Sequence, residues 1–152
     1  MRYWSHPPYT KRAQAEARIA EILQQQRDTD VFCWVITRPS SDQLIGNLTL
    51  FNVSRPHLRC ELGYSLLPAH QGQGLAQEAV RAALSYAFDS LAMERIEADI
   101  DPRNAASRRL VERLGFQLEG TLRAKWRVAG EVCDTSLYGL LRGELTLAKA
   151  PR

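Results

Sequence analysis

No stretch of this sequence approaches the ~18 consecutive apolar residues that a membrane-spanning helix needs. Met1 to Tyr9 has no apolar core of the kind a secretory leader carries. A cytoplasmic protein is therefore expected. Cysteine is sparse: Cys33, Cys60 and Cys133 are odd in number, widely spaced and each set in a strand-like run. They read as reduced, buried thiols, not as a disulfide frame or a zinc site. The three histidines are scattered, so no metal is expected. Lysine is nearly absent: of 20 basic residues only Lys11, Lys125 and Lys149 are Lys. Arginine suits bidentate phosphate binding, although genomic composition explains the same bias. The formal charge of +3 is mild, and no interleaving of basic and aromatic residues supports nucleic-acid binding.

What remains is an ordinary soluble composition, 45% hydrophobic and 24% charged over 152 residues. That is one domain, long enough to bury a core without staples. It is expected over residues 1–143, with a tail of low signal over 144–152. Thr10 is placed to cap a helix running to about Arg27, with Ala13, Ala17, Ile19, Ala20, Ile22 and Leu23 on its apolar side. Phe32 to Thr37 and Leu44 to Val53 read as a hairpin around Pro39-Ser40-Ser41-Asp42. Leu58 to Leu67 is a third strand, stopped by Pro68.

A helix follows Gly74, with Ala76, Val80, Ala83, Leu84, Ala87, Phe88 and Leu91 as its stripe. Arg95 to Ile100 is a short strand. Asn104 opens another helix to Leu114, closed by Gly115. Leu122, Ala124, Trp126 and Val128 alternate with Arg123, Lys125 and Arg127, as in a half-buried strand. Val132 to Leu141 is the last strand. The order α, β, β, β, α, β, α, β, β gives antiparallel hairpins around a central strand–helix–strand unit. There are no internal repeats.

The run Gln71-Gly72-Gln73-Gly74-Leu75-Ala76 carries the strongest chemical signal. A glycine-rich turn between a strand and a helix offers unpartnered N–H groups and the positive end of the helix dipole, and so suits a phosphate. Gly72 and Gly74 let a ligand approach the backbone closely. A dinucleotide fold would want a third glycine where Gln77 stands. An ordinary strand-to-helix turn is the alternative on spacing alone.

With its surroundings, Gln71-x-x-Gly74-x-Ala76 resembles the acetyl-coenzyme A signature of the GCN5-related N-acetyltransferase (GNAT) superfamily. Glu61-Leu62-Gly63-Tyr64, Arg95-Ile96-Glu97-Ala98, Asp101-Pro102-x-Asn104-x-x-Ser107, Leu114-Gly115-Phe116 and Glu119-Gly120-x-Leu122-Arg123 are similar to the branch containing the ribosomal-protein acetyltransferases RimJ and RimL. So is Tyr3-Trp4-Ser5-x-Pro7-Pro8. The resemblance runs from Tyr3 to about Arg142. It implies an α+β, three-layer fold, with a central mixed, mostly antiparallel sheet flanked by helices. In the family a strand and a helix precede the Trp-x-x-Pro-Pro region, whereas here Met1 stands directly before it. With that first strand missing, Phe32 to Thr37 is an uncovered edge prone to pair with another chain. A later-than-true start or a homodimer accounts for this.

The resemblance also implies the site. Acetyl-CoA is the expected cofactor, held by Gln71, Gly72, Gln73, Gly74, Leu75 and Ala76 at its pyrophosphate. The strand before the turn is expected to splay at Ser65, Leu66 and Leu67, whose backbone then pairs with the pantetheine amides; plain core strand is the alternative. Asn104 and Ser107 either contact the same arm or simply cap a helix. Arg108 and Arg109 suit phosphates or a solvated face. Glu61 and Asp99 are the candidate general bases, each with a salt bridge to an arginine as the alternative.

The family's frequent thiolate-protonating Tyr has no counterpart at Leu110-Val111-Glu112, which leaves Ser107 or water. Trp4, Tyr9, Trp126 and Tyr138 either line an acceptor pocket or pack structurally. The reaction implied is direct acetyl transfer to a primary amine. A protein N-terminal α-amine is the leading acceptor, and a polyamine or aminoglycoside the alternative. A catalytically weak acyl-CoA sensor is the reading from a different class.

Overall fold

Six strands lie side by side in the order β1-β2-β3-β4-β6-β5: β1 (Phe32–Arg38), β2 (Ser41–Ser54), β3 (Arg59–Leu66), β4 (Arg95–Ile100), β5 (Gln117–Val128) and β6 (Glu131–Leu141). The computed structural model describes residue 3 and residues 9–27, 31–39 and 41–146; Trp4 and the Ser5–Pro8 stretch lie outside them. All neighbouring strands run antiparallel except β3 and β4, which are parallel. A parallel pair needs a crossover, and α2 (Leu75–Asp89) supplies it after a short 3-10 turn at Pro68–His70. No described helix is long and apolar enough to cross a membrane.

Alternation along the strands sorts the sheet into two faces. Leu48, Leu50, Cys60, Leu62, Ile96, Ala98, Ile100, Tyr138 and Leu140 point to one side and are buried. Val80, Ala83, Leu84, Ala87 and Phe88 of α2 cover them, with Val111 and Leu114 of α3 (Ala105–Leu114). Val80 and Leu84 are wholly buried, each stabilising by about 1.5–3 kcal/mol. Asn104 caps α3, its Oδ1 accepting the Ser107 N–H at 3.2 Å, and Gly115 ends it at φ 106°. A Cβ there would run into the Glu144 carbonyl. On the other, open face of the sheet stand Arg59, Glu61, Gly63 and Ser65 of β3 and Arg95, Glu97 and Asp99 of β4.

Four expectations are corrected. α1 (Arg12–Arg27) buries no side chain: Ile19 is 57% and Leu23 51% exposed. Thr10 is not its cap; the Gln14 side chain reaches back and accepts the Thr10 and Lys11 N–H groups, each at 3.0 Å. β5 starts at Gln117, and its alternation breaks at a bulge between Leu122 and Trp126, where Ala124 takes φ 54°. That leaves Leu122 and Trp126 exposed instead of half-buried. Of the thiols only Cys60 is buried; Cys33 and Cys133 are partly exposed.

Candidate active site

The parallel ladder of β3 with β4 is short. It joins only Arg59, Cys60 and Glu61 to Arg95, Ile96 and Glu97. Past that point the strands separate and leave a gap between Leu62–Leu66 and Ala98–Ile100. Phase along β3 decides which backbone groups face this gap. The Leu67 N–H donates to Ile45 O at 2.8 Å, toward β2. Because successive residues of an antiparallel ladder alternate, Ser65 also turns its backbone to β2, while Tyr64 and Leu66 turn theirs to the gap. Of the three residues expected to offer free backbone, Leu66 does so; Tyr64 was missed, and Ser65 and Leu67 are committed elsewhere. The Leu66 carbonyl accepts from Gln71 Nε2 at 3.0 Å.

The gap opens onto the glycine-rich turn. Gly72 (φ 75°) and Gly74 (φ 79°) are both left-handed, which a side chain resists. A Cβ at either would meet nothing, so the approach to the turn is open. Gly74 is the N-cap of α2 and offers no side-chain acceptor. The first helical bond is Glu78 N–H to Gly74 O, 3.1 Å. The N–H groups of Leu75, Ala76 and Gln77 precede it without a helical carbonyl to bond. These donors, with the helix dipole, fit a pyrophosphate. Gln73 is anchored by its own amide to Ala69 O at 3.2 Å and accepts from Arg38 Nη2 at 2.9 Å.

α3 closes the other flank. The Tyr64 hydroxyl lies 2.6 Å from Ser107 Oγ. Burial pushes the Tyr64 phenol up to about 12, offset in part by that hydrogen bond. Arg108 is occupied, donating to Tyr138 Oη at 3.1 Å and to Pro102 O at 3.2 Å. Tyr138 is buried and donates to Glu112 Oε1 at 2.9 Å; it is a core residue and lines no acceptor pocket. Trp126 and Tyr9 are exposed.

The acidic candidates share the open face. Glu97 is paired with Arg59 at 3.0 Å and Arg95 at 2.7 Å, and Glu119 with Arg95. Glu61 and Asp99 make no ion pair among the described residues. Glu61 instead accepts from Asn52 Nδ2 at 2.9 Å, Asn52 sitting at φ 50° where β2 bulges. The Asp99 carboxyl is held above the usual carboxylate range. Desolvation is the main cause, followed by repulsion from Glu61, with Lys125 pulling the other way and Glu97 adding repulsion. A carboxylate so raised is better matched to taking a proton near neutral pH.

Comparison with known proteins meets this geometry. The acetyltransferase (GNAT) domain family matches residues 1–117. The probable N-acetyltransferase YjcK of Bacillus subtilis is 37% identical over 134 residues, 88% of this chain and 74% of the relative. The ribosomal protein uS5-alanine N-acetyltransferase of Escherichia coli is 32% identical, over 86% of this chain and 68% of the relative. The crystal structure of spermidine N-acetyltransferase from Vibrio cholerae in complex with CoA and spermine superposes with a TM-score of 0.83 at 25% identity, covering 93% of this chain and 82% of that one. The mixed, mostly antiparallel sheet flanked by helices is thus that of the GNAT fold, and acetyl-CoA is the acyl donor. The chain belongs to the GNAT family of acetyl-CoA-dependent N-acetyltransferases.

Proposed function

We propose that this N-acetyltransferase acts on a polyamine-like primary amine, with Asp99 as general base and Glu61 as an anchor for cationic substrate. The observation that carries this reading is the pair of carboxylates on the open face, Glu61 and Asp99, which make no ion pair among the described residues, Lys125 acting on Asp99 without forming a salt bridge. Glu97 and Glu119 beside them are spent on Arg59 and Arg95. Two carboxylates without a salt-bridge partner next to the gap attract a molecule with more than one ammonium group. The solved relative bound to CoA and spermine supports the same acceptor class.

Acetyl-CoA supplies a thioester: as the amine nitrogen bonds to its carbonyl carbon the C–S bond breaks, and CoA leaves as a thiolate that takes its proton from water. The Leu75, Ala76 and Gln77 N–H groups and the left-handed Gly72 and Gly74 receive the pyrophosphate. The backbone of Leu66 and Tyr64 receives the pantetheine amides, the Gln71 side chain now holding the Leu66 carbonyl where such an amide would bond. Asn104 holds the start of α3 and Ser107 against that arm. A primary ammonium with a reference pKa near 10.4 must lose its proton before attack, at a cost of roughly 4.6 kcal/mol at pH 7. The raised Asp99 takes that proton, directly or through one water. Tyr64 is the wrong group to protonate the leaving thiolate. At about 12 it is a weaker acid than a thiol of about 8.5 by roughly 3.5 units, or ~5 kcal/mol. Its role is to hold Ser107 in place.

The second reading is a protein N-terminal α-amine. It is favoured by the higher identity, 32%, to the uS5-alanine enzyme, and by chemistry, since an α-amine near 7.7–8.0 needs little help from a base. Thiol release measured with spermidine, an aminoglycoside and an alanine-initiated peptide separates the two. Turnover of spermidine at least tenfold faster than the peptide is expected; the reverse order supports the protein acceptor. Tight CoA binding with no turnover on any amine would point to a sensor.

A further inference from the structure

Beside the glycine-rich turn stands a cation that the motif itself does not contain. Arg38 ends β1, 35 residues before Gln73. Two register shifts, between Ile36 and Thr37 and between Thr37 and Arg38, bend the strand end. Bulges of this kind re-aim a side chain. The guanidinium Nη2 donates to Gln73 Oε1 at 2.9 Å and lies 3.4 Å from His70 Nδ1. Both partners are side chains of the loop that carries the turn. Neither is a carboxylate, and no carboxylate among the described residues pairs with Arg38. Arg12, Arg18, Arg59, Arg95, Arg103 and Arg142 all have one. Arg108, on the opposite flank, is committed to Tyr138 and Pro102.

We infer that Arg38 is a further cofactor-binding residue, whose guanidinium pairs with the pyrophosphate of coenzyme A. The inference rests on the reading that the Gln71–Ala76 turn receives that group. The N–H groups of the turn supply dipoles but no net charge. An arginine held at its rim supplies a full charge and a planar fork that matches two phosphate oxygens. Gln73, anchored to Ala69 O, keeps the side chain at the rim before the cofactor arrives, which lowers the entropy lost on binding. The residue comes from an edge strand, so no local motif around the turn announces it.

The test is calorimetric binding of CoA, 3′-dephospho-CoA and pantetheine to the wild type, Arg38→Gln, Arg38→Lys and Gly74→Val. Arg38→Gln is expected to weaken CoA and 3′-dephospho-CoA by the same factor, about tenfold, and to leave pantetheine unchanged. Arg38→Lys should recover part of the loss, because a point charge replaces a fork. Unchanged CoA affinity in Arg38→Gln overturns the inference. A loss confined to CoA moves the contact to the 3′-phosphate and overturns the pyrophosphate assignment. Equal loss of pantetheine shows a general disturbance of the site and also overturns it. Gly74→Val tests the underlying reading separately: if it alone weakens CoA, the turn stands and Arg38 falls; if neither variant matters, the turn reading falls with it.

Discussion

The turn that opens α2 and the open face around Asp99 flank the same gap but are built on different principles. The turn works through backbone: three N–H groups at a helix start, two left-handed glycines and no capping side chain. The open face works through side chains brought together from β2, β3, β4 and β5, with Asn52 on Glu61 and Lys125 and Glu61 acting on Asp99. A backbone site needs only the right local conformation, so many sequences can share it, as suits the proposed hold on the common donor. A side-chain site depends on which charges are neutralised by distant partners, and on the reading proposed above that is where the acceptor is chosen.

The two regions should fail differently. Asp99→Asn is expected to lower turnover 100-fold or more, the usual scale for a general base, with CoA affinity unchanged in a binding titration. A drop below tenfold would remove Asp99 from that role. The acid limb of the wild-type profile should lie above the ordinary carboxylate range, with activity lost as pH falls through it; in Asp99→Asn that limb should vanish. Gly74→Val strains the left-handed cap and should weaken CoA about tenfold or more while turnover at saturating acetyl-CoA falls less than threefold. Glu61→Gln should raise the KM for spermidine about tenfold and change kcat little; an effect on kcat alone would make Glu61 the base instead.

Tyr64→Phe removes the bond to Ser107 and should cost about 1 kcal/mol of stability, read by denaturant titration, with turnover within threefold. The smallest effect concerns stability. The folded pKa of Asp99 lies above its unfolded value, so its ionised form opposes folding at neutral pH, and the penalty is relieved as pH falls through the folded pKa. Asp99→Asn should therefore melt slightly higher than wild type at pH 7, with the gap closing in acid.

How much of this the sequence disclosed follows the same division. The α2 stripe, the Asn104 cap and the Gly115 stop were legible because each depends on residues within one or two turns of itself. So was the glycine turn. The fate of α1 was not: its apolar residues spread over more than half of the helix circumference, and Ile19 and Leu23 stay more than half exposed. Gln14 took the capping role from Thr10 because a longer side chain reaches both N–H groups. The β5 bulge sits on an alanine, which gives no glycine signal. The phase of β3, which frees Tyr64 and Leu66 but not Leu67, depends on its pairing with β2. Glu61 and Asp99 were named from the sequence, but their freedom from ion pairs depends on Arg59 and Arg95 choosing Glu97 and Glu119. The role inferred for Arg38 has no local sequence signal, because its partners His70 and Gln73 lie far along the chain.

One measurement bears on the central contrast most directly: kcat and the KM for acetyl-CoA, determined side by side for Asp99→Asn and Gly74→Val with spermidine as acceptor. The predicted result is a clean split, with kcat at least 100-fold lower and KM unchanged in Asp99→Asn, and KM about tenfold higher with kcat nearly kept in Gly74→Val. The same parameter moving in both variants would contradict a donor held by backbone and an acceptor activated by side chains.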